Sequence, residues 1–346
     1  MRKKAIKVGI IGLGRAGYGM HCKEINARNS KFKIVAGCDI LESKRDRFAE
    51  LNPKAKIYKD LKDLISDPEV ELIDIANRTP DHTKTALMAL KSGKDVFLEK
   101  PICETYAEAK KLRTASKRAK GNLYLRHNRR FEAAFVHLKE IICSGVLGDV
   151  YEIKLSRHGY SRRNDWQTIK SCGGGQLGNW GPHLVDHGLQ LLESPVKETF
   201  SDTKVIAAVG DAEDHLKIIL KGKNGRIIDI EISGGVILKS PVYAVYGTKG
   251  SLIAGDENTF KLKYLDPKFK LSKRTASKAD PGDSFGTPDE LKWIEKEIAV
   301  SPKQKCSPSS IWDHLFSSIR KGIEFPITLD QGVEVMRVID EVRNRK

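Results

Sequence analysis

Over its first 125 residues the chain alternates short apolar runs with longer stretches of helical period, and this alternation limits the folds open to it more than any other feature. Apolar runs at 6–11, 33–37, 72–76, 95–98 and 122–125 read as strands, with helices expected at 17–26, 42–51, 82–91 and 105–119. Strands joined through helices run parallel, because a helical crossover carries the chain back to the same end of the sheet, and the helices then cover both faces. After a further helix at 131–143 and a turn at 144–148 the pattern becomes strand-rich, with runs at 150–157, 205–209, 215–220, 226–232, 242–246 and 260–265. Residues 223–225 suit a tight hairpin turn, which makes the strands on either side antiparallel. The segment 272–287, rich in Lys, Ser, Pro and Gly, reads as a loop, and helices at 311–321 and 329–343 close the chain. The expected fold is α/β: a doubly wound parallel sheet over 1–126, then an α+β domain over 127–346 with an open, mostly antiparallel sheet.

A length of 346 residues supports two cores of ordinary size. No apolar run reaches the roughly 18 residues of a membrane helix. Met1 to Ile11 is basic and then apolar, but its glycines make it a first strand rather than a secretory signal. The six cysteines lie far apart without a CxxC pair, which suits the reduced thiols of a cytoplasmic protein. The formal charge of +16 raises the question of nucleic acid, and nine Lys or Arg fall between Lys110 and Arg130 with no acidic residue. They alternate with Leu112 and Ala115 as the wet face of a helix does, and no aromatic platform accompanies them, so neither nucleic acid nor membrane is expected as a partner. The charge helps instead to attract anionic ligands.

The sharpest motif is Gly12-Leu13-Gly14-Arg15-Ala16-Gly17, between the first strand and first helix. Such a turn lets the backbone approach a diphosphate at a helix N-terminus, where free N–H groups and the helix dipole meet it. Asp39 ends the second strand 22 residues after Gly17, where a carboxylate accepts from a ribose 2′-hydroxyl. It would repel a 2′-phosphate, which favours NAD over NADP, although Lys44 and Arg45 lie close by. Glu99-Lys100-Pro101 follows the fifth strand, at the edge where such sheets meet ligands, and Lys100 is placed to contact ribose and substrate. In the second half, a glycine-rich stretch leads to His183, Asp186 and His187, spaced so that one helical turn aims all three at one space. A histidine there suits proton transfer from an alcohol. The same spacing occurs in metal sites, but no further ligand is identifiable, and no metal is expected.

These residues, taken in order with Thr79, Pro80, His82, Asn128 to Phe131, Gly173 to Asp186 and Tyr246 to Ser251, resemble the Gfo/Idh/MocA oxidoreductase family along nearly the whole chain. The resemblance implies a Rossmann nicotinamide-binding domain, a cleft site, and a homodimer or homotetramer formed through the C-terminal sheet. It implies that Lys100 positions substrate and cofactor, that His183 accepts the alcohol proton, and that Thr79, His82, Glu99 and Asn128 lie near the cofactor. It also exposes a departure: members often carry an aspartate where Asn179 stands, so Asp186 becomes the candidate source of negative charge. Arg157, Arg163 and Trp166, with His158, Arg162 and Asp165, form the expected substrate loop, joined by Asn179 and His187. The function expected is hydride transfer from a secondary hydroxyl of a sugar, cyclitol or glycoside to NAD. An NAD-dependent hydrolase or lyase using transient oxidation, and a non-catalytic NAD sensor, stand as alternatives.

Overall fold

The structure, a computed structural model, describes residues 4–280, 282 and 289–345. The first sheet has six strands, β1 (Ile6–Ile11), β2 (Phe32–Cys38), β3 (Lys56–Tyr58), β4 (Leu72–Ile75), β5 (Asp95–Glu99) and β6 (Leu123–Arg126). Their order is β3-β2-β1-β4-β5-β6, and every pairing is parallel. The intervening helices are α1 (Cys22–Asn26), α2 (Glu42–Leu51), α3 (Leu61–Ser66), α4 (Thr79–Lys91) and α5 (Tyr106–Ser116). All four residues of β4 are buried, as a strand covered on both faces requires. The order reverses between β1 and β4, the crevice where sheets of this kind hold their ligands.

Helices α6 (Ala133–Cys143), α7 (Gln176–Asn179) and α8 (Gly181–Leu192) accompany a second sheet. It contains β7 (Val150–His158), β8 (Val196–Lys204), β9 (His215–Gly222), β10 (Ile227–Ser233), β11 (Tyr243–Gly247), β12 (Gly250–Ala254), β13 (Thr259–Leu265) and β14 (Trp293–Ala299). The order is β14-β13-β12-β11-β7-β10-β9-β8, antiparallel except between β7 and β10. Leu216, Ile218 and Leu220 of β9 and Ile228, Ile230 and Ile232 of β10 are buried on one face. Each contributes about 1.5–3 kcal/mol of burial. Gly188 lets α8 lie close against Ile228 and Ile230, which is how α8 is held over that face.

The closing helices α9 (Ile311–Lys321) and α10 (Leu329–Asn344) match the sequence expectation, but α9 does not stay with the second sheet. Trp312 is fully buried, its ring edge-on to Phe32 and Phe97 of the first sheet at 5.3 and 4.9 Å. Part of the segment 127–346 thus packs against the first sheet.

The strand expected at 205–209 is a loop, and the strand stands earlier, as β8. Val205, Ile206 and Val209 are apolar but 46%, 54% and 59% exposed. The Asp214 carboxylate accepts from the N–H groups of Ile206, Ala207 and Ala208, which binds that backbone into a turn. Strands β3, β12 and β14 and helix α3 had no counterpart in the sequence reading. Of the expected loop 272–287, the described residues 272–280 and 282 carry no helix or strand, and the rest lie outside the described residues. All six cysteines are free: Cys22, Cys38 and Cys103 are buried, Cys143 is exposed, and Cys172 and Cys306 are intermediate.

Candidate active site

The glycine turn has the form its motif predicts. Gly12 has φ +91°, and a Cβ there would meet Asn77 N at 2.4 Å. At Gly17 a Cβ would fall 2.0 Å from Gly12 O, so the turn closes only without a side chain, whereas a Cβ on Gly14 would meet only Lys44 Nζ, at 3.8 Å. The helix that follows opens with a π-turn, Gly17–His21, in which His21 N donates to Ala16 O at 2.9 Å. Asp39 Oδ2 accepts from Leu13 N at 2.9 Å and Oδ1 from Leu41 N at 3.0 Å, fixing the carboxylate beside the turn, with Lys44 Nζ 3.8 Å away.

That π-turn carries His21 inward, to a cluster the sequence reading missed. His21 Nδ1 lies 2.7 Å from Asp74 Oδ2 and Nε2 lies 3.2 Å from Glu99 Oε1, all three groups buried. A neutral imidazole has one N–H, so donating to both carboxylates requires the imidazolium. Burial and Arg126 push the His21 pKa down, but Asp74 and the two hydrogen bonds outweigh them and raise it. Arg126 donates to Glu99 and to Glu24, both at 2.7 Å, and Trp312 Nε1 donates to Glu24 at 2.6 Å. Glu99 Oε2 accepts from Lys100 N at 2.7 Å. Burial would raise the Glu99 pKa, yet Arg126, His21 and Lys100 hold it far below the usual range. Glu99, expected at the cofactor, thus spends both oxygens inside the protein. The signal available in the sequence was Arg126, a charge ending an apolar parallel strand.

Lys100 precedes a cis proline, Pro101, and its Nζ donates to Asn179 O at 2.9 Å. His82, also expected near the cofactor, is buried with Nδ1 2.7 Å from Pro101 O and Nε2 3.0 Å from Asn77 O, so it braces this turn. Thr79 opens α4, and Asn128 opens a short 3-10 turn, Asn128–Phe131; both are half-buried.

The structure separates the three α8 side chains. The His183 ring makes no hydrogen bond, and its Nδ1 is enclosed without a partner, which leaves Nε2 as the nitrogen available to a ligand. Burial, then the positive charges of Lys100 and Arg129, hold its pKa well below the ordinary value. Asp186 does not bond to His183: Arg130 grips both its oxygens, at 2.7 and 2.5 Å. Burial would raise the Asp186 pKa, and His127 and Arg130 lower it. His187 stacks on Phe135 at 3.7 Å and donates from Nε2 to Arg129 O at 3.0 Å, with burial pushing its pKa down to about 3. Its ring is thus taken up by contacts within the protein.

The expected substrate loop divides as well. Arg163 pairs with Asp165 and Gln167, and it shares a small cavity with Asn179, Gln176 and Glu213. Arg157 pairs with Glu257 and lies against the Trp180 ring at 4.7 Å, with Arg129 against the same ring at 4.2 Å. The edge of Trp180 meets His183 at 5.8 Å. Trp166 lies against Arg78, just ahead of α4, at 5.2 Å. Trp180 thus touches His183, and Arg129, on the same indole, is among the charges that act on it. Among the described residues no group of three or more His, Cys, Asp or Glu is arranged for a metal, and no helix is long and apolar enough to cross a membrane.

Residues 6–127 match the model of the oxidoreductase family with NAD-binding Rossmann fold, and residues 135–253 match the GFO/IDH/MocA C-terminal domain. An inositol 2-dehydrogenase of Salmonella paratyphi B is 34% identical, over 66% of this chain and 67% of its own. The chain belongs to the Gfo/Idh/MocA oxidoreductase family. Over 97% of this chain and 92% of its own, the Bacillus subtilis scyllo-inositol 2-dehydrogenase (NADP(+)) IolW is 25% identical. In fold, an NAD-binding protein of Listeria innocua superposes with a TM-score of 0.83 at 24% identity, covering 98% of this chain and 97% of that one. Within the Gfo/Idh/MocA frame the parallel sheet is the nucleotide-binding unit and the antiparallel sheet is the C-terminal one.

Proposed function

We propose that this chain is a nicotinamide-dependent dehydrogenase oxidising a secondary hydroxyl of a cyclitol or related sugar in the cleft between its two sheets. The observation that carries the reading is the Lys100 Nζ to Asn179 O bond, which joins the ligand edge of the first sheet to the segment leading into His183. The inositol substrates named for its relatives support the substrate class.

The residues fit a dinucleotide, since the tight turn closes only because Gly12 and Gly17 lack side chains, and a Cβ on Gly14 would meet only Lys44 Nζ, at 3.8 Å. Gly12, Leu13, Gly14, Arg15, Ala16 and Gly17 would hold the diphosphate and Asp39 the adenosine ribose, with Thr79, Lys100 and Asn128 toward the nicotinamide. Asp39 supports NAD over NADP, because its fixed carboxylate opposes a 2′-phosphate. When bound, the cofactor supplies the hydride acceptor. His183, uncharged because it is buried beside cations, takes the hydroxyl proton at Nε2. Lys100, anchored by one N–H on Asn179 O, has further N–H donors for the substrate's hydroxyl oxygen, and its charge favours alkoxide character on that oxygen. We assign the outer face of the second sheet, where Phe200 and Ile253 are exposed, to self-association as a dimer or tetramer, which light scattering tests.

NADH formation across a panel of inositols and sugars tests the reading. His183→Ala and Lys100→Ala each lower kcat/KM by about 10²–10⁴-fold, the usual worth of acid-base groups, while NADH affinity stays within about threefold. Turnover surviving in both variants removes these residues from the mechanism. A wild-type protein that binds NAD but forms NADH with no polyol refutes the dehydrogenase assignment, and release of an aglycone without NADH points to redox-assisted cleavage.

A further inference from the structure

We propose that His127 is a positioning residue linking His183 to Asp186, so that a carboxylate acts on the proton acceptor through a second imidazole. The inference rests on His183 being the proton acceptor. Glu99 of β5 pairs in register with Arg126 of β6, so Lys100 and His127 are the next residues out of neighbouring parallel strands. The turn after His127 is docked on α8 at two points, Arg130 to Asp186 and His187 to Arg129 O. His127 therefore stands where the Lys100 edge of the first sheet meets the helix carrying His183.

His127 is 2% exposed, and neither ring nitrogen has a partner. Buried polar groups are nearly always hydrogen-bonded, so two orphaned nitrogens on one ring call for an explanation. The charges that act on it are Asp186 from α8, Arg130 from its own turn, and Glu99 and Lys100 from the end of β5. His183 in turn feels Lys100, Arg129, His127 and His187. Burial keeps His127 neutral, so it offers one donor and one acceptor.

The chemistry of His183 asks for just that pair. To accept a proton at Nε2, a neutral His183 must carry its own hydrogen on Nδ1, and that enclosed N–H has no acceptor. The acceptor nitrogen of His127 fills the role, through a ring rotation or one bridging water. The remaining N–H of His127 then points to Asp186, whose oxygens keep lone pairs beyond those that Arg130 uses. In the reaction the substrate O–H bond breaks and an N–H bond forms at His183 Nε2. The hydride leaves carbon for the cofactor, and the Nδ1 proton stays in its bond to His127. The new imidazolium thereby faces the Asp186 charge across His127, which answers the absence of a carboxylate at Asn179.

The test uses full-length His127→Phe, which fills the space without nitrogen, and His127→Asn, which keeps a donor and an acceptor. The readouts are NADH fluorescence for binding, ¹⁵N-histidine NMR for the His183 tautomer, and kinetics with NAD and scyllo- or myo-inositol. Expected in His127→Phe are unchanged NADH affinity, a His183 signal moved away from the Nδ1–H tautomer, and kcat lowered about 10–100-fold, as for other orienting partners, with KM nearly constant. The acid limb of the kcat profile moves, and His127→Asn recovers part of the loss. An unchanged tautomer and unchanged kcat profile in His127→Phe overturn the proposal. Should wild-type protein oxidise no polyol, the dehydrogenase reading fails separately, and the tautomer alone decides on His127. If His127→Phe does not fold, Asp186→Asn with the same NMR readout decides, an unmoved His183 signal counting against the link.

Discussion

Replacing His21 by leucine measures what the buried charge cluster behind Lys100 is worth. Glu99 would keep Arg126 and the Lys100 N–H, but Asp74 would lose its Oδ2 partner while Oδ1 already has none. A fully buried carboxylate with no hydrogen bond is then left, and removing one member of such a pair costs about 3–5 kcal/mol. That is a large part of the roughly 5–15 kcal/mol by which proteins are usually stable. Urea denaturation followed by circular dichroism reads the loss. Adding Asp74→Leu to His21→Leu recovers much of it, because the orphaned charge goes too. The raised His21 pKa also sets a pH dependence. The stability it contributes is fully present below the unfolded-state value of 6.5 and fades as pH rises through the higher folded value. His21→Leu loses that slope. A cost under about 1 kcal/mol, or a double variant no better than the single one, refutes an ionised His21–Asp74 pair.

Two further outcomes follow from the site. Gly17→Ala places a methyl group onto Gly12 O, and NADH affinity measured by fluorescence falls by more than about tenfold as the turn opens. Because burial and neighbouring cations depress the His183 pKa, kcat/KM stays level as pH falls through 6.5, and an acid limb centred at that value would contradict a buried neutral His183.

The parts legible in the sequence are those governed by neighbours along the chain. The glycine turn, the run through Glu99, Lys100 and Pro101, and the two closing helices announce themselves by local period and by residues only a few places apart. What escaped depends on partners distant in sequence. Asp186 reads as a free carboxylate until Arg130, 56 residues earlier, is seen to grip it. His187 reads as a ligand until Phe135 covers its ring. Strand β14 hides because Glu295 and Glu297 stay exposed and give no clear alternation, whereas 205–209 misleads because its apolar side chains look outward from a loop that Asp214 ties down. His127 carries no local sign at all, since an enclosed imidazole and a solvated one look alike in a string of letters.

The placement of Trp312 has a consequence for dissecting this protein. The polypeptide leaves the first sheet after Arg126 and comes back to it in α9, so the second sheet is in effect an insertion anchored at both ends. A fragment stopping at residue 126 would lay bare Phe32 and Phe97 and strip Glu24 of its indole partner, Trp312, so it would be sticky and short of a wall. A nucleotide-binding half worth expressing on its own needs the tail grafted back, with a short linker in place of everything between.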